Sequence, residues 1–358
     1  MMKCGLRPRS SWRSAALLCA FAFLPGCGSG TTAPVQSIEE FENRLEALRS
    51  ADHIAGISAV ITNGQQIVWS RGFGDADIAA AHRAEAATVF HLASLTKTFA
   101  STVILQLVEE GKVSLNDPVS KFGVIVPGGG AVLVRHLMSH TSEGVPGTRF
   151  AYNGDRFGLL DSVVSRGGGV PFSAALQQRI ISRLALTRTA PNPRTPDFTV
   201  SGLDRQSFES NMARGYTYGG GNFTATPYPD YFGTAAGLTA SALDVAAFSM
   251  AMDRDLFLLP ATKALAFTPA TSPSGEVFPY GLGWFSTTYQ GVRIIWHYGL
   301  WTANSSLIIK VPDRGLSFVV LANTDGLSAR YPLGDGKLES SPWARAFLDA
   351  FVIGNLKP

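Results

Sequence analysis

Cysteine is almost absent from the chain and is confined to one end of it. The 358 residues include three cysteines, Cys4, Cys19 and Cys27. If the residues before Cys27 are removed, the body of the chain has neither a disulfide nor a thiol nucleophile. Any chemistry in that body must therefore come from other side chains.

Charged residues are also scarce, and neither sign dominates. They make up 16% of the sequence against 46% hydrophobic residues, a composition that predicts a folded chain with a large core. The formal charge is +3, but four basic residues and no acidic one precede Cys27, namely Lys3, Arg7, Arg9 and Arg13. Without them the charge is −1, so the composition indicates no nucleic-acid partner.

No apolar run is long enough to span a bilayer comfortably. Residues 14–24 form an apolar stretch behind the basic residues, as in a signal peptide. The following Leu24-Pro25-Gly26-Cys27 resembles the lipobox of bacterial lipoproteins, although Pro25 is unusual there. We expect residues 1–26 to be a signal peptide and residues 27–36 a linker. The protein would be exported to the periplasm or cell envelope and lipid-anchored at Cys27. The alternative is an ordinary secretory signal cleaved nearby.

Strand patterns lie at both ends of the body, and helical patterns lie between them. Residues 54–62 and 65–72 are predicted strands joined by Asn63-Gly64, and residues 282–321 contain further strands before a closing helix at 342–353. Because two isolated strands are unstable, we expect both ends to share one antiparallel sheet.

This predicts an α+β fold, an antiparallel sheet flanked by helices with a large, mostly helical insertion. We expect one domain over residues 37–358, with residues 37–90 and 281–358 forming the sheet part and residues 91–280 the helical part. Residues 72–77 are expected to leave the sheet as a loop. Residues 185–235, which lack periodicity, are expected to form long loops beside a cleft.

Ser94 and Lys97 carry the clearest chemical signal. Apolar residues at three-to-four spacing predict an amphipathic helix that begins near Ser94 and stops at Gly111. Residues three apart share a helix face, so the Lys97 amine can lie beside the Ser94 hydroxyl, and free N–H groups at a helix start suit an oxyanion. This arrangement is typical of a serine nucleophile activated by lysine. The alternative is a capping serine with a surface lysine, since the motif is short.

Further motifs follow in a fixed order. The stretches are Phe90-His91-Leu92-Ala93-Ser94-Leu95-Thr96-Lys97-Thr98, Leu137-Met138-Ser139-His140-Thr141-Ser142, Phe150-Ala151-Tyr152, Tyr280-Gly281-Leu282-Gly283-Trp284 and His297-Tyr298-Gly299. Together they resemble the serine β-lactamase and penicillin-binding-protein superfamily, closest to class C β-lactamases and related esterases and D-aminopeptidases. The resemblance runs from about residue 37 to the end. It implies the β-lactamase/transpeptidase fold and acyl transfer from an amide or ester without a cofactor.

The resemblance also implies roles for the matching residues. Ser94 would be the acyl-forming nucleophile, and Lys97 would help to deprotonate it. Tyr152 would act as general base and as proton donor to the leaving group, with Lys97 as the cation that lowers its pKa. The alternative for Tyr152 is a packed aromatic beside Phe150.

His297-Tyr298-Gly299 occupies the place of the family's Lys-Thr-Gly strand. Gly299 would let substrate approach the backbone, and the N–H groups of Ser94 and Leu300 would form the oxyanion hole. His297 would replace a permanent cation with a group titrating near pH 6.5, which resembles the esterase and peptidase branches more than a dedicated β-lactamase. The alternative for His297 is a half-buried strand histidine.

Gly154 departs from the family pattern. The second motif usually reads Tyr-x-Asn, whereas here Asn153 stands one place early and Gly154 takes the third position. The amide that normally contacts the lysine and the substrate is therefore expected to be missing. This weakens the case for efficient β-lactam hydrolysis but not for the nucleophile.

Other motifs are weak. His136 and His140 lack a third ligand, and the glycine clusters do not open a helix after a strand, so we expect neither a metal nor a nucleotide. The expected partners are a small-molecule or peptide substrate and a membrane reached through the lipid anchor, and the expected state is a monomer. The leading hypothesis is a serine hydrolase acting through an acyl-enzyme on an amide or ester. The alternatives are a carboxylesterase or D-amino-acid peptidase on the same fold, or a penicillin-binding sensor lipoprotein that acylates without turnover.

Overall fold

A computed structural model describes residues 37–126 and 131–358. The predicted signal peptide, Cys27 and the linker lie outside the described residues. Within the part that is described, no helix is long and apolar enough to cross a membrane.

The described residues contain strands and helices in alternating blocks. The strands are β1 (Gly56–Thr62), β2 (Ile67–Asp77), β3 (His82–Arg83), β4 (Val89–His91), β5 (Thr189–Pro191), β6 (Tyr216–Gly219), β7 (Asn222–Ala225), β8 (Leu238–Ser241), β9 (Phe285–Tyr289), β10 (Val292–Trp301), β11 (Asn304–Val311) and β12 (Leu316–Ala322). The α-helices are α1 (Ile38–Ala51), α2 (Thr96–Glu109), α3 (Val134–Met138), α4 (Gly154–Gly158), α5 (Leu160–Gly168), α6 (Phe172–Leu176), α7 (Arg205–Glu209), α8 (Ala242–Asp253), α9 (Pro260–Phe267) and α10 (Pro342–Phe347).

The two ends of the chain close one antiparallel sheet, as predicted. Its order is β3-β2-β1-β12-β11-β10-β9, so β1 pairs with β2 on one side and with β12 on the other. Every residue of β1 is buried because helices cover both faces of the sheet. Val60 packs into the core under α2 and α8, whereas Ile57 and Ile61 pack into the core under α1 and α10. The fold is therefore the predicted α+β arrangement.

Several predicted boundaries were wrong. Strand β2 continues through residues 72–77, which were expected to form a loop, because Gly72 and Gly74 let neighbouring backbone pass within the space of a side chain. The stretch 185–235 holds β5, α7 and the β6–β7 hairpin as well as loops. Strand β4, which was not predicted, lies just before the helix expected to begin near Ser94.

Helix α2 is an interior helix, although an amphipathic one was expected. Every residue from Thr96 to Leu107 is buried, and α2 ends before Gly111, which has a positive φ of 69°. Between residues 88 and 107 every residue except Ser94 is buried. The buried helix therefore holds the half-buried Ser94, two residues before its start, at the edge of the core.

Candidate active site

Ser94 lies in a tight turn between β4 and α2. One turn of 3₁₀-helix spans Ala93–Leu95, and Ala93 has a positive φ of 48°. The Ala93 N–H donates to Nδ1 of His91 at 3.1 Å. The Leu92 carbonyl accepts from the Ser306 hydroxyl at 2.7 Å. These bonds fix a backbone conformation that a non-glycine residue rarely adopts.

Gly299 brings β10 against this turn. A Cβ on Gly299 would lie 2.2 Å from the Leu92 carbonyl oxygen and 2.3 Å from Ser306 Oγ. The glycine was expected to admit substrate, but this close approach shows that it is first required for the strand to pack beside the nucleophile turn. Leu300, the next residue, is 38% exposed and lines the same cleft as Ser94.

Lys97 lies directly beside the serine. Its Nζ is 2.9 Å from Ser94 Oγ and donates to the Ala235 carbonyl at 2.8 Å. The side chain is fully buried, and burial lowers the pKa of Lys97 to about 7, against a smaller opposing attraction from Asp155. About half of the amine is therefore uncharged near neutral pH and available to accept a proton. A capping serine with a surface lysine does not describe this pair.

Tyr152 lies on the other side of the pair, but its predicted activation is absent. The Tyr152 hydroxyl is buried and makes no hydrogen bond to the described residues. The Ser94 side chain is nevertheless near enough to favour the ionised form of Tyr152. Burial, with a contribution from Tyr298, raises the pKa of Tyr152 well above its usual value, where a lowered pKa was expected. The Lys97 amine lies 5.3 Å from the centre of the ring. Tyr152 is thus a neutral hydroxyl that donates a proton more readily than it accepts one.

His140 holds the backbone on both sides of Tyr152. The Ala151 N–H donates to the His140 carbonyl at 2.9 Å, and the Asn153 N–H donates to His140 Nδ1 at 3.2 Å. The His140 and Tyr152 rings lie 4.3 Å apart. His140 is therefore a structural support for Tyr152. The described residues include no cluster suited to a metal ion.

His297 is a buried, neutral histidine. Burial lowers the pKa of His297 to about 3, with nearby Lys97 acting in the same direction, so it does not titrate near pH 6.5 as expected. Its Nδ1–H donates to the Tyr298 carbonyl at 2.6 Å, and its Nε2 accepts from the Tyr280 hydroxyl at 2.9 Å. Both ring nitrogens are occupied by the protein, so His297 presents no charge to the cleft.

The asparagine of the second motif does not reach Lys97. The Asn153 side chain caps α4 by accepting from the Arg156 N–H at 2.9 Å and donates to Glu143 at 2.6 Å. A Cβ on Gly154 would instead lie 3.9 Å from Lys97 Nζ. The amide is therefore missing beside the lysine, and Gly154 is the position from which it would be supplied.

A cleft of about 660 Å³ opens over Ser94 and Lys97. Its other lining residues are Gly154, Asp155, Gly158, Pro229, Asp230, Tyr231, Ala235, Ala236, Leu300 and Trp301. The predicted loop region 185–235 thus contributes to the wall, whereas residues 265–280 line a separate cavity. Sequence reasoning missed Asp155, Tyr231 and Trp301. Asp155 follows Gly154 directly, but the two aromatic residues carry no local signal.

Comparisons with known proteins agree with this fold. The family model described as Beta-lactamase matches residues 41–336. Penicillin-binding protein 4* of Bacillus subtilis is 23% identical over 75% of this chain and 68% of its own length. The chain spans 50% to 68% of the length of three curated relatives that it matches.

Solved structures share the architecture at low sequence identity. An octameric penicillin-binding protein homologue from Pyrococcus abyssi aligns with a TM-score of 0.73 at 22% identity, covering 86% of this chain and 80% of the other. The D-amino acid amidase of Ochrobactrum anthropi aligns with a TM-score of 0.69 at 19% identity, covering 88% and 99%. The family model covers most of the chain, and the fold matches, so the protein belongs to the Beta-lactamase family of serine hydrolases.

Proposed function

We propose that the protein hydrolyses an amide or ester through an acyl-enzyme on Ser94, with Lys97 as the general base. The observation that carries this proposal is the 2.9 Å contact between Ser94 Oγ and Lys97 Nζ. Because burial lowers the pKa of Lys97 to about 7, the amine is partly unprotonated at neutral pH. A general base works best when its pKa is near the operating pH.

In the first step, the Lys97 amine takes the Ser94 hydroxyl proton as Oγ forms a bond to the substrate carbonyl carbon. The N–H groups of Ser94 and Leu300 are proposed to hold the negative oxygen of the tetrahedral intermediate. The bond to the leaving group then breaks, and the neutral Tyr152 hydroxyl donates a proton to it. The proton on Lys97 restores the Tyr152 hydroxyl. A water molecule then attacks the acyl carbonyl carbon as Lys97 takes a proton from it. The bond from that carbon to Ser94 Oγ breaks, the proton on Lys97 returns to Oγ, and the acid is released.

Covalent labelling tests the nucleophile. The purified protein is incubated with a fluorescent fluorophosphonate and a fluorescent penicillin, beside Ser94→Ala and Lys97→Met. We expect fluorophosphonate labelling of the wild type, none of Ser94→Ala and at least about a hundredfold slower labelling of Lys97→Met. If neither reagent labels the wild-type protein, the role of Ser94 as nucleophile is refuted.

A sensor that acylates without turnover is the second candidate. Gly154 favours it, because the missing amide removes one group beside the lysine and the substrate. Stable penicillin labelling without hydrolysis of β-lactams, amides or short esters would support the sensor. Turnover of any of them would support the hydrolase.

The sequence also supports a proposal about location. The basic and apolar segments before Cys27 indicate an exported protein of the cell envelope, lipid-anchored at Cys27. The same proposal includes a monomeric state, which size-exclusion chromatography with light scattering tests. A defined oligomer at micromolar concentration would contradict it.

A further inference from the structure

The cleft has an unusual charge balance, which bears on the substrate. Its charged lining residues, among those that the structure describes, are Lys97, Asp155 and Asp230. Asp230 is already neutralised by an ion pair with Arg194. The buried Lys97 is only partly charged near neutral pH. Asp155 is therefore the carboxylate in the cleft that is left without a matching cation.

Asp155 is placed to meet a bound molecule. It is exposed, and no hydrogen bond or ion pair engages its carboxylate among the described residues. Its charge acts on both Lys97 and Tyr231, and all three residues line the same cleft. Tyr231 and Trp301 form that wall, with ring centres 5.7 Å apart at 59°.

The same cleft offers little to a substrate carboxylate. His297 takes the place of a fixed cation but is neutral and bonded on both nitrogens to Tyr280 and the Tyr298 carbonyl. Gly154 offers no side-chain amide to a substrate beside Lys97. An anionic substrate would face Asp155 without a permanent positive charge to hold it.

Given the hydrolase function proposed above, we infer that Asp155 binds a primary ammonium group and that the substrates are amides or esters of amino acids with a free amino group. The ammonium would pair with Asp155, and an apolar side chain would pack against Tyr231 and Trp301. A cation at Asp155 would also offset the charge that favours the protonated form of Lys97. Binding would thus promote the free amine that attack requires.

The test compares phenylalanine amide with its N-acetyl and N-succinyl derivatives, in both enantiomers. Binding is measured by calorimetry at neutral pH to the Ser94→Ala protein, which keeps the ligand intact. We expect at least one enantiomer with a free amine to bind about tenfold more tightly than its N-acetyl form and more tightly still than the anionic form. Asp155→Asn in the same background should abolish this preference. Asp230→Asn, whose carboxylate is paired with Arg194, should keep it.

A kinetic measurement separates this inference from the proposed function. In the protein with Ser94 intact, the ratio of kcat/KM for the free-amine and N-acetyl 4-nitroanilides should fall about tenfold in Asp155→Asn. Loss of the Asp155 charge beside Lys97 in the free enzyme acts on both substrates and cancels in the ratio, whereas pairing with an ammonium, and the effect of that pairing on Lys97, is confined to the free-amine substrate. Equal binding of the two ligands, or a preference that survives Asp155→Asn, would overturn the inference even if hydrolysis is confirmed. Absence of hydrolysis alongside an Asp155-dependent binding preference would instead overturn the hydrolase and leave the ammonium site supported.

Discussion

Replacing Gly154 by asparagine should change the protonation of the Lys97 base. A Cβ at this position would lie 3.9 Å from Lys97 Nζ and meet nothing else within contact distance. The backbone there is not left-handed, so asparagine fits without strain. Its amide oxygen can accept a hydrogen bond from the ammonium. Because the bond favours the charged form, Gly154→Asn should raise the pKa of Lys97.

The expected size follows from the strength of such a bond. A hydrogen bond to a charged group contributes about 1.5 to 3 kcal/mol, part of which is offset by ordering the amide and displacing water. A net gain of about 1.4 kcal/mol raises a pKa by about one unit. The pKa of Lys97 would move from about 7 to about 8. At pH 7 the free amine would fall from about half to about a tenth, and acylation would slow about fivefold.

The measurement is the rate of fluorophosphonate labelling between about pH 5 and about pH 10. Fluoride needs no proton to leave, so the profile reports the base. The midpoint should shift upward in Gly154→Asn, and the rates should converge at high pH. Gly154→Ala is the matched control, since it adds the Cβ without the amide. An unchanged midpoint, or equal shifts in both variants, would refute this account of position 154.

The remaining predictions concern stability and processing. Folding lowers the pKa of Lys97 from 10.5 to about 7, so the unfolded chain binds more protons between those values. The free energy of unfolding should therefore rise with pH there by about 1.4 kcal/mol per unit more in the wild type than in Lys97→Met; equal slopes in urea melts would contradict this. Gly299→Ala should cost about 1 to 3 kcal/mol and abolish labelling, because its Cβ overlaps the Leu92 carbonyl. Gly219→Ala is the control, because its Cβ meets nothing within 4 Å, and it should change stability little. Similar thermal melts for Gly299→Ala and Gly219→Ala would contradict this prediction. Mass spectrometry of the mature N-terminus should find a lipidated Cys27, and a free residue at another position would exclude the anchor.

Sequence reasoning predicted the sheet because the requirement behind it is general. Two strands at one end of a chain need partners, and the apolar runs at the other end supply them. It failed for residues 72–77 because Gly72 and Gly74 are typical of a loop. In the sheet, a Cβ on Gly72 would lie 2.0 Å from the Ala84 carbonyl oxygen. Gly72 and Ala84 are too far apart in the sequence for the spacing of neighbouring residues to indicate this contact.

For the site, the sequence predicted which residues come together but not the environment that surrounds them. The motifs brought Ser94, Lys97 and Tyr152 to one place, and the structure puts them there. Their protonation could not be predicted, because it depends on burial by segments far away in sequence. The Ala235 carbonyl, as well as the helix that carries Lys97, takes the place of water around the lysine amine. Tyr280 takes the place of water at Nε2 of His297. The chemical identity of the site is local, whereas its electrostatics belong to the whole fold.

The two departures from the family pattern act in opposite directions on Lys97. A lysine at position 297 would place a second cation near Lys97 and lower its pKa, so the neutral His297 raises it by comparison. An amide at position 154 would stabilise the ammonium, so Gly154 lowers the pKa by comparison. The effects of the two changes on the pKa of Lys97 therefore oppose one another. It follows that His297→Lys and Gly154→Asn should shift the midpoint of acylation downward and upward respectively, and that the double variant should return towards the wild-type value. If the double variant shifted as far as either single variant, the two positions would not be balancing one another through Lys97.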